Sequence, residues 1–240
     1  MIRGFIRDAL LLFGCLVSLA AHAAEVDLIA SQNRDVPRLA CASSTAIDSA
    51  VVLKRSLVSK RVSDGQLHAA YAEVLSLPAQ DAETALLRAD ILRRLKRPEA
   101  ADWYMALRKT CREADAHHGL GLLAGQRSAW RDATIEFEKA VRRAPADARF
   151  RSDLGYALLQ QGAYPASEFE LRVAIELDPD NRLAAMNLLL LAMVSDNGKD
   201  AEQLIARWQP TRTEFDSLLQ SCSELVTLQK GQASACPLRL

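Results

Sequence analysis

What this chain of 240 residues lacks narrows its class first. Aromatic residues make up only 5% of it, and no stretch alternates strictly between apolar and polar side chains, which argues against a sandwich or barrel of strands. Net charge is absent too: 30 Lys and Arg balance 30 Asp and Glu, so charge suggests neither a nucleic-acid partner nor an anionic membrane surface. There is no glycine-rich phosphate loop, no GxSxG elbow, no HExxH and no CxxC. The signals for nucleotide binding, serine hydrolysis, zinc and dithiol redox chemistry are therefore missing. Histidines are few: His22 falls in the leader segment, His68 is isolated, and His117 and His118 are adjacent. On a helix that pair points about 100° apart and shares a metal poorly. Carboxylate pairs such as Glu136 with Glu138, or Asp178 with Asp180, fall on expected helix surfaces or turns, where solvation explains them better than acid–base catalysis. These absences predict a protein that is not an enzyme and needs no cofactor or metal.

What is present is a helical composition with a repeat. Half of the residues are apolar, with alanine and leucine prominent. Leu120, Gly121, Ala140 and Pro145 return 34 residues later as Leu154, Gly155, Ala174 and Pro179. Each position has a packing reason. Antiparallel helices whose axes approach within about 8–10 Å need small side chains where they cross. Gly121, Gly155, Ala133, Ala140 and Ala174 supply them, while Leu120, Phe137, Leu154 and Leu171 fill the remaining seam. Pro145 and Pro179 cannot continue the preceding helix, and Asp147 and Asn181 are placed to cap the following one. Length and pattern are those of the tetratricopeptide (TPR) repeat, and the chain resembles that family. The resemblance implies an all-α fold, a TPR-type α-solenoid of antiparallel helix pairs with a C-terminal capping helix.

The register is best over 114–147 and 148–181 and loosens outward. A third unit from about Arg182 keeps Leu188 and Ala201 in phase, but Leu189 replaces the glycine and Trp208 the late alanine. Upstream, 81–111 keeps Leu87, Ala100 and Tyr104, with the next unit arriving about one residue out of phase. Helical patterns over 44–59 and 66–77, with a turn at 62–65, form either another repeat or a non-repeat capping pair. Phe215, Leu218, Leu219, Leu225 and Leu228 predict a terminal helix over 211–230 that covers the last seam, because an unstacked repeat leaves its apolar face wet. The basic clusters Arg93–Arg97 and Arg142 with Arg143 sit near helix ends, where the dipole favours cations. The expected organisation is 1–23 signal peptide, 24–42 linker, 43–210 TPR-like helical domain, and 211–240 capping helix and tail.

Arg3 and Arg7 precede an apolar run from Ala9 to Ala21, and Ala21-His22-Ala23 fits a cleavage site, so an exported, periplasmic protein cut near Ala23 or Ala24 is expected. The run is too short for a lasting membrane span. Leu12-Phe13-Gly14-Cys15 offers an alternative, since it partly resembles a lipobox and would make Cys15 a lipidated anchor at the outer membrane. Phenylalanine before the glycine is atypical and the apolar run continues past Cys15, so ordinary cleavage is preferred. Membrane contact is otherwise expected only through partners. In an oxidising compartment Cys41, Cys111, Cys222 and Cys236 allow three disulfide connectivities, with four buried free thiols as the alternative. A Cys222–Cys236 bond would tie the tail to the terminal helix and would leave Cys41 with Cys111.

By resemblance to TPR proteins, the first helix of each pair lines a concave groove for protein or peptide partners. The groove positions are His118, Leu122 and Gln126 in one unit, Arg149, Ser152, Tyr156 and Gln160 in the next, and Met186, Leu190 and Met193 in the third. For the apolar members, packing against neighbouring helices is an equal alternative. Leu122, Asp153 and Leu183 stand where a carboxylate-clamping variant needs Lys, Asn or Arg, so that variant is not expected. The stretch 148–159, Ala-Arg-Phe-Arg-Ser-Asp-Leu-Gly-Tyr-Ala-Leu-Leu, followed by Glu170-Leu171 and Ala174-Ile175-Glu176-Leu177, resembles the central repeat of the TadD-type proteins of Flp (tight adherence) pilus assembly. That resemblance is best over 116–191 and implies a non-enzymatic scaffold for pilus or secretion machinery. A general periplasmic TPR adaptor, or an enzyme of unrecognised type using a titratable groove residue such as His118, are the rival expectations.

Overall fold

A computed structural model describes residues 36–41, 48–230 and 235–237. The expected signal peptide with its cleavage at Ala23 or Ala24, the lipidation candidate Cys15 and most of the linker lie outside these residues. Among the described residues the chain forms eleven helices and no strand beyond one isolated bridge. They run in pairs: α1 (Ser49–Ser63) with α2 (Leu67–Val74), α3 (Ala82–Arg94) with α4 (Ala100–Leu107), and α5 (Glu113–Gln126) with α6 (Trp130–Arg143). α7 (Ala148–Gln160) with α8 (Tyr164–Leu177) and α9 (Arg182–Val194) with α10 (Gly198–Trp208) follow, and α11 (Arg212–Lys230) closes the series. Each helix from α1 to α9 packs on the next, and α1 also meets α3, α3 meets α5, α7 meets α9 and α9 meets α11. Contacts between neighbours only are the mark of a solenoid.

Local chemistry sets the helix boundaries. Asp48, Asp81, Asp147 and Asn181 stand before α1, α3, α7 and α9, and their side chains accept hydrogen bonds from first-turn backbone N–H groups that would otherwise lack partners. Asp81 does more, because its carboxylate also binds Arg55 of α1 at 2.6 Å and so ties two pairs together. Inside the later pairs the turn needs one residue in the left-handed region, found at Ser128 (φ 57°), Gly162 (φ 74°) and Asp196 (φ 55°). Those three positions keep the 34-residue spacing. Lys96 (φ 57°) takes the same conformation 32 residues before Ser128, so at this turn the upstream unit is two residues out of phase, where the sequence suggested one.

Close helix approach explains the glycines. A Cβ on Gly121 would stand 2.5 Å from the Phe137 ring, and one on Gly155 would stand 2.6 Å from Leu171 Cγ. The same knob therefore enters the same gap one repeat later. In the third unit Leu189 has replaced the glycine and is fully buried among Leu171, Leu188, Ala201 and Leu218.

Both ends are fastened. Arg182, at the start of α9, forms two 2.7 Å hydrogen bonds to the Glu214 carboxylate and donates to the Trp208 carbonyl at 3.0 Å, joining α9, α10 and α11. At the other end, the backbone N–H of Ala40 donates to Gln80 and its carbonyl accepts from Ala82, both at 2.9 Å. Val36 and Leu39 pack on the core of α3 and α4, and Cys41 is bonded to Cys111. Residues 36–41 are thus a docked strap. Cys222 is bonded to Cys236, across 14 residues, and holds the tail on α11. The described residues contain no helix long and apolar enough to cross a membrane.

Candidate partner-binding site

The helix phase that repeats every 34 residues brings side chains from successive first helices to one cavity of about 360 Å³. α5 contributes Leu122, Gly125 and Gln126, α7 contributes Asp153 and Tyr156, and α9 contributes Leu183 and Asn187. Trp130 and Phe137 of α6 complete the lining. Trp130 opens the second helix of its pair and lies edge-on to Tyr156, with ring centroids 5.6 Å apart at 86°. It can sit against α5 because residue 125 is glycine, where a Cβ would come within 3.3 Å of the indole. The Gln160 side chain hydrogen-bonds the Tyr156 hydroxyl. Burial raises the pKa of that phenol, and it stays protonated through the neutral range.

Of the residues expected from sequence, Leu122, Gln126 and Tyr156 meet in this cavity, and Gln160 supports Tyr156. The others are placed differently. His118 is half-buried beside the cavity: its Nε2 lies 2.6 Å from Asp153 Oδ2, and its ring sits 4.6 Å from Phe150 and 5.6 Å from Phe137. Arg149 turns back onto the cap Asp147, at 3.1 and 2.6 Å, and lies over Phe150 at 5.2 Å. It does not line the cavity. Ser152, Leu190 and Met193 correct the sequence expectation, for they are buried at 1%, 2% and 0% exposure and belong to the seams between helices. Met186 is half-buried and packs on the same core. Its neighbour Asn187, about 100° further round the helix, faces the cavity instead.

The titratable groups nearby are held by internal partners. Glu136, expected on a solvated surface, accepts from Lys139 at 2.5 Å and pairs with buried His117 at 2.6 Å. Burial works against its charge, yet these two partners hold it below the usual carboxylate range. Tyr104 donates to Asp90 at 2.5 Å while Arg93 donates to Tyr104, and burial raises both the Asp90 carboxyl and the Tyr104 phenol. No group of three or more His, Cys, Asp or Glu that could hold a metal occurs among the described residues. A second and more polar concavity, about 520 Å³, lies between α1 and α3 and is lined by Arg55, Ser56, Glu83, Leu86 and Asp90 among others.

Gly125, Trp130 and Asn187 are lining residues that sequence reasoning did not name, and Phe137, Asp153 and Leu183 were read there for other reasons than lining the groove. Asn187 had a readable signal, since it follows Asp153 by one repeat length. Trp130 had none, because groove positions were sought on first helices alone.

No protein-family model matches the chain. It is similar to the TPR repeat-containing protein PA4299 of Pseudomonas aeruginosa, 41% identical over 157 residues, which are 65% of this chain and 64% of that protein. The match therefore spans a little under two thirds of the relative's own length. Among solved structures it is similar to pilF of Pseudomonas aeruginosa, with a TM-score of 0.60 and 16% identity, covering 76% of this chain and 87% of that one. It is also similar to MamA, residue 41 to the end, from Desulfovibrio magneticus RS-1, with a TM-score of 0.52 and 18% identity, covering 79% and 100%. At such identities the structural matches speak for the fold, and that fold is an all-α TPR-type α-solenoid.

Proposed function

We propose that this protein is a non-enzymatic scaffold of the cell envelope that captures a partner protein in its concave groove during assembly of Flp/Tad-type pili or a related secretion machine. The observation that carries the binding role is the cavity between Trp130, Tyr156 and Leu183: an apolar recess built from equivalent positions of successive repeats, beside titratable groups that are paired with one another. Two disulfides support an oxidising, extracytoplasmic location, and Arg3, Arg7 and the run 9–21 support export. The assembly role rests on the TadD-type resemblance of residues 148–177. Deleting the gene tests it: surface fibres are expected to vanish while other envelope functions persist. Normal fibres, with diverse envelope proteins recovered in pull-downs, would favour a general periplasmic adaptor instead.

A further inference from the structure

Overall neutrality conceals an uneven distribution of charge. The pairs are antiparallel and stack in order, so the turns inside them fall along one edge of the solenoid and the connections between them along the other. Arg94, at the end of α3, donates to the Val62 carbonyl near the end of α1 at 2.8 Å, which sets the first two of these turns side by side. The first three turns carry six exposed cations: Lys60, then Arg94, Lys96 and Arg97, then Arg127 and Arg131. The exposed carboxylates there are Asp64 and Asp132, while Asp102 and Glu99, which binds Arg97 at 2.7 Å, are half-buried. The helix dipole accounts for Lys60 and Arg94, in the last turns of α1 and α3. It does not account for Lys96 and Arg97, which lie past the end of α3, and it opposes Arg131, in the first turn of α6. Nor are these charges all met within the chain. On the other edge Arg112, Arg143, Arg151 and Arg182 bind Glu83, Glu113, Glu170 and Glu214, whereas Lys96, Arg127 and Arg131 have no partner among the described residues.

The spread of these cations indicates what meets them. Neighbouring helices pack about 10 Å apart, so three successive turns distribute the charges over roughly 20 Å. No single phosphate or carboxylate reaches them together. None of the six lines the cavity beside Trp130 or the concavity between α1 and α3, and the three turns hold no exposed large apolar side chain. The edge therefore offers a protein partner neither a recess nor an apolar anchor. A surface that presents negative charge at every point suits such a row whatever its spacing. We infer that this edge docks the protein on the anionic phospholipid headgroups of a membrane, by electrostatic attraction and without insertion. Each Lys or Arg held near such a surface raises partitioning roughly fivefold, and salt screens the effect. The inference does not depend on the groove reading.

The test mixes the exported protein, purified in a Cys15→Ala background so that no acyl chain contributes, with vesicles of phosphatidylcholine alone or with roughly one third phosphatidylglycerol, and reads the bound fraction by co-sedimentation. At about 50 mM salt, binding to the anionic vesicles should exceed binding to the neutral ones more than tenfold, and it should disappear at about 500 mM. Lys96→Gln with Arg127→Gln and Arg131→Gln should cut it more than tenfold. Arg108→Gln with Lys109→Gln and Arg142→Gln, which removes as many exposed cations from the other edge, should leave it within about twofold. The lipid and salt dependence of the parent protein keeps the test decisive where a variant folds poorly. Several results overturn the inference: no binding to anionic vesicles, equal binding to both kinds, or equal losses in the two folded triple variants. Binding to poly-glutamate but not to anionic vesicles would also overturn it and would assign the edge to an acidic protein.

Discussion

Glu214 shows how a single exposed side chain can fasten the end of the solenoid. Its carboxylate takes two bonds from Arg182 and further ones from the backbone N–H and hydroxyl of Thr211, while its own N–H donates back to the Thr211 oxygen, a reciprocal capping box. Arg182 first, and Thr211 next, lower its pKa from 4.5 to about 2. A depressed folded-state value means that the stabilisation is complete above the unfolded-state value and is lost as pH falls through the folded one. Glu214→Gln should therefore lower the melting temperature at pH 7, and the gap from wild type should close between pH 4.5 and 2. An equal gap at both ends of that range would refute the assignment. At this scale the site was legible in part. Leu122, Gln126 and Tyr156 share the phase of the repeat, which is a sequence property. That Asn187 and not Met186 faces the cavity could be read only from its spacing of one repeat length after Asp153, because adjacent residues on a helix differ by about 100° and which of them meets the core depends on how α9 is rotated by its neighbours.

Among the elements, the tightest crossings are made by glycine facing a large side chain, Gly119 with Tyr104, Gly121 with Phe137 and Gly155 with Leu171. A methyl group at residue 155 would press on Leu171 Cγ and stand 3.3 Å from the Leu171 backbone nitrogen, so the second helix cannot yield by a rotamer change alone. Gly155→Ala is expected to cost about 1–3 kcal/mol, measured by denaturant unfolding. A loss well under 0.5 kcal/mol would show that α7 and α8 separate freely. Helix content and the pairing of α5 to α8 could be read from sequence because spacing, breaker and cap agree there. The turns could not. Ser128 and Asp196 adopt the left-handed conformation that Gly162 adopts without strain; serine does not announce it, and aspartate, though enriched there, is common elsewhere. The docking of residues 36–41 was also hidden, since one backbone bridge to residues 80–82 and two apolar side chains leave no periodic trace.

Across the whole molecule the two disulfides do different work. Cys41–Cys111 closes a loop of 70 residues, fastening the strap to the turn before α5, whereas Cys222–Cys236 closes 14. Loop-closure entropy gives about 4 kcal/mol for the longer crosslink and about 3 kcal/mol for the shorter. Cys41→Ser with Cys111→Ser should therefore lower stability more than Cys222→Ser with Cys236→Ser. Access runs in the same order: Cys41 and Cys111 are exposed, while Cys222 is fully buried. Mild reductant followed by alkylation and mass spectrometry should label Cys41 and Cys111 first; prior labelling of Cys222 would contradict the packing of α11. The central claim is that the recess beside Trp130 and Tyr156 serves fibre assembly by holding a partner segment. It is tested most directly by counting surface fibres, by electron microscopy, in a strain whose only copy carries Trp130→Ala and Tyr156→Ala, with cellular levels and helicity of the protein matched to wild type. The account predicts that fibres are lost; a normal fibre count would contradict it.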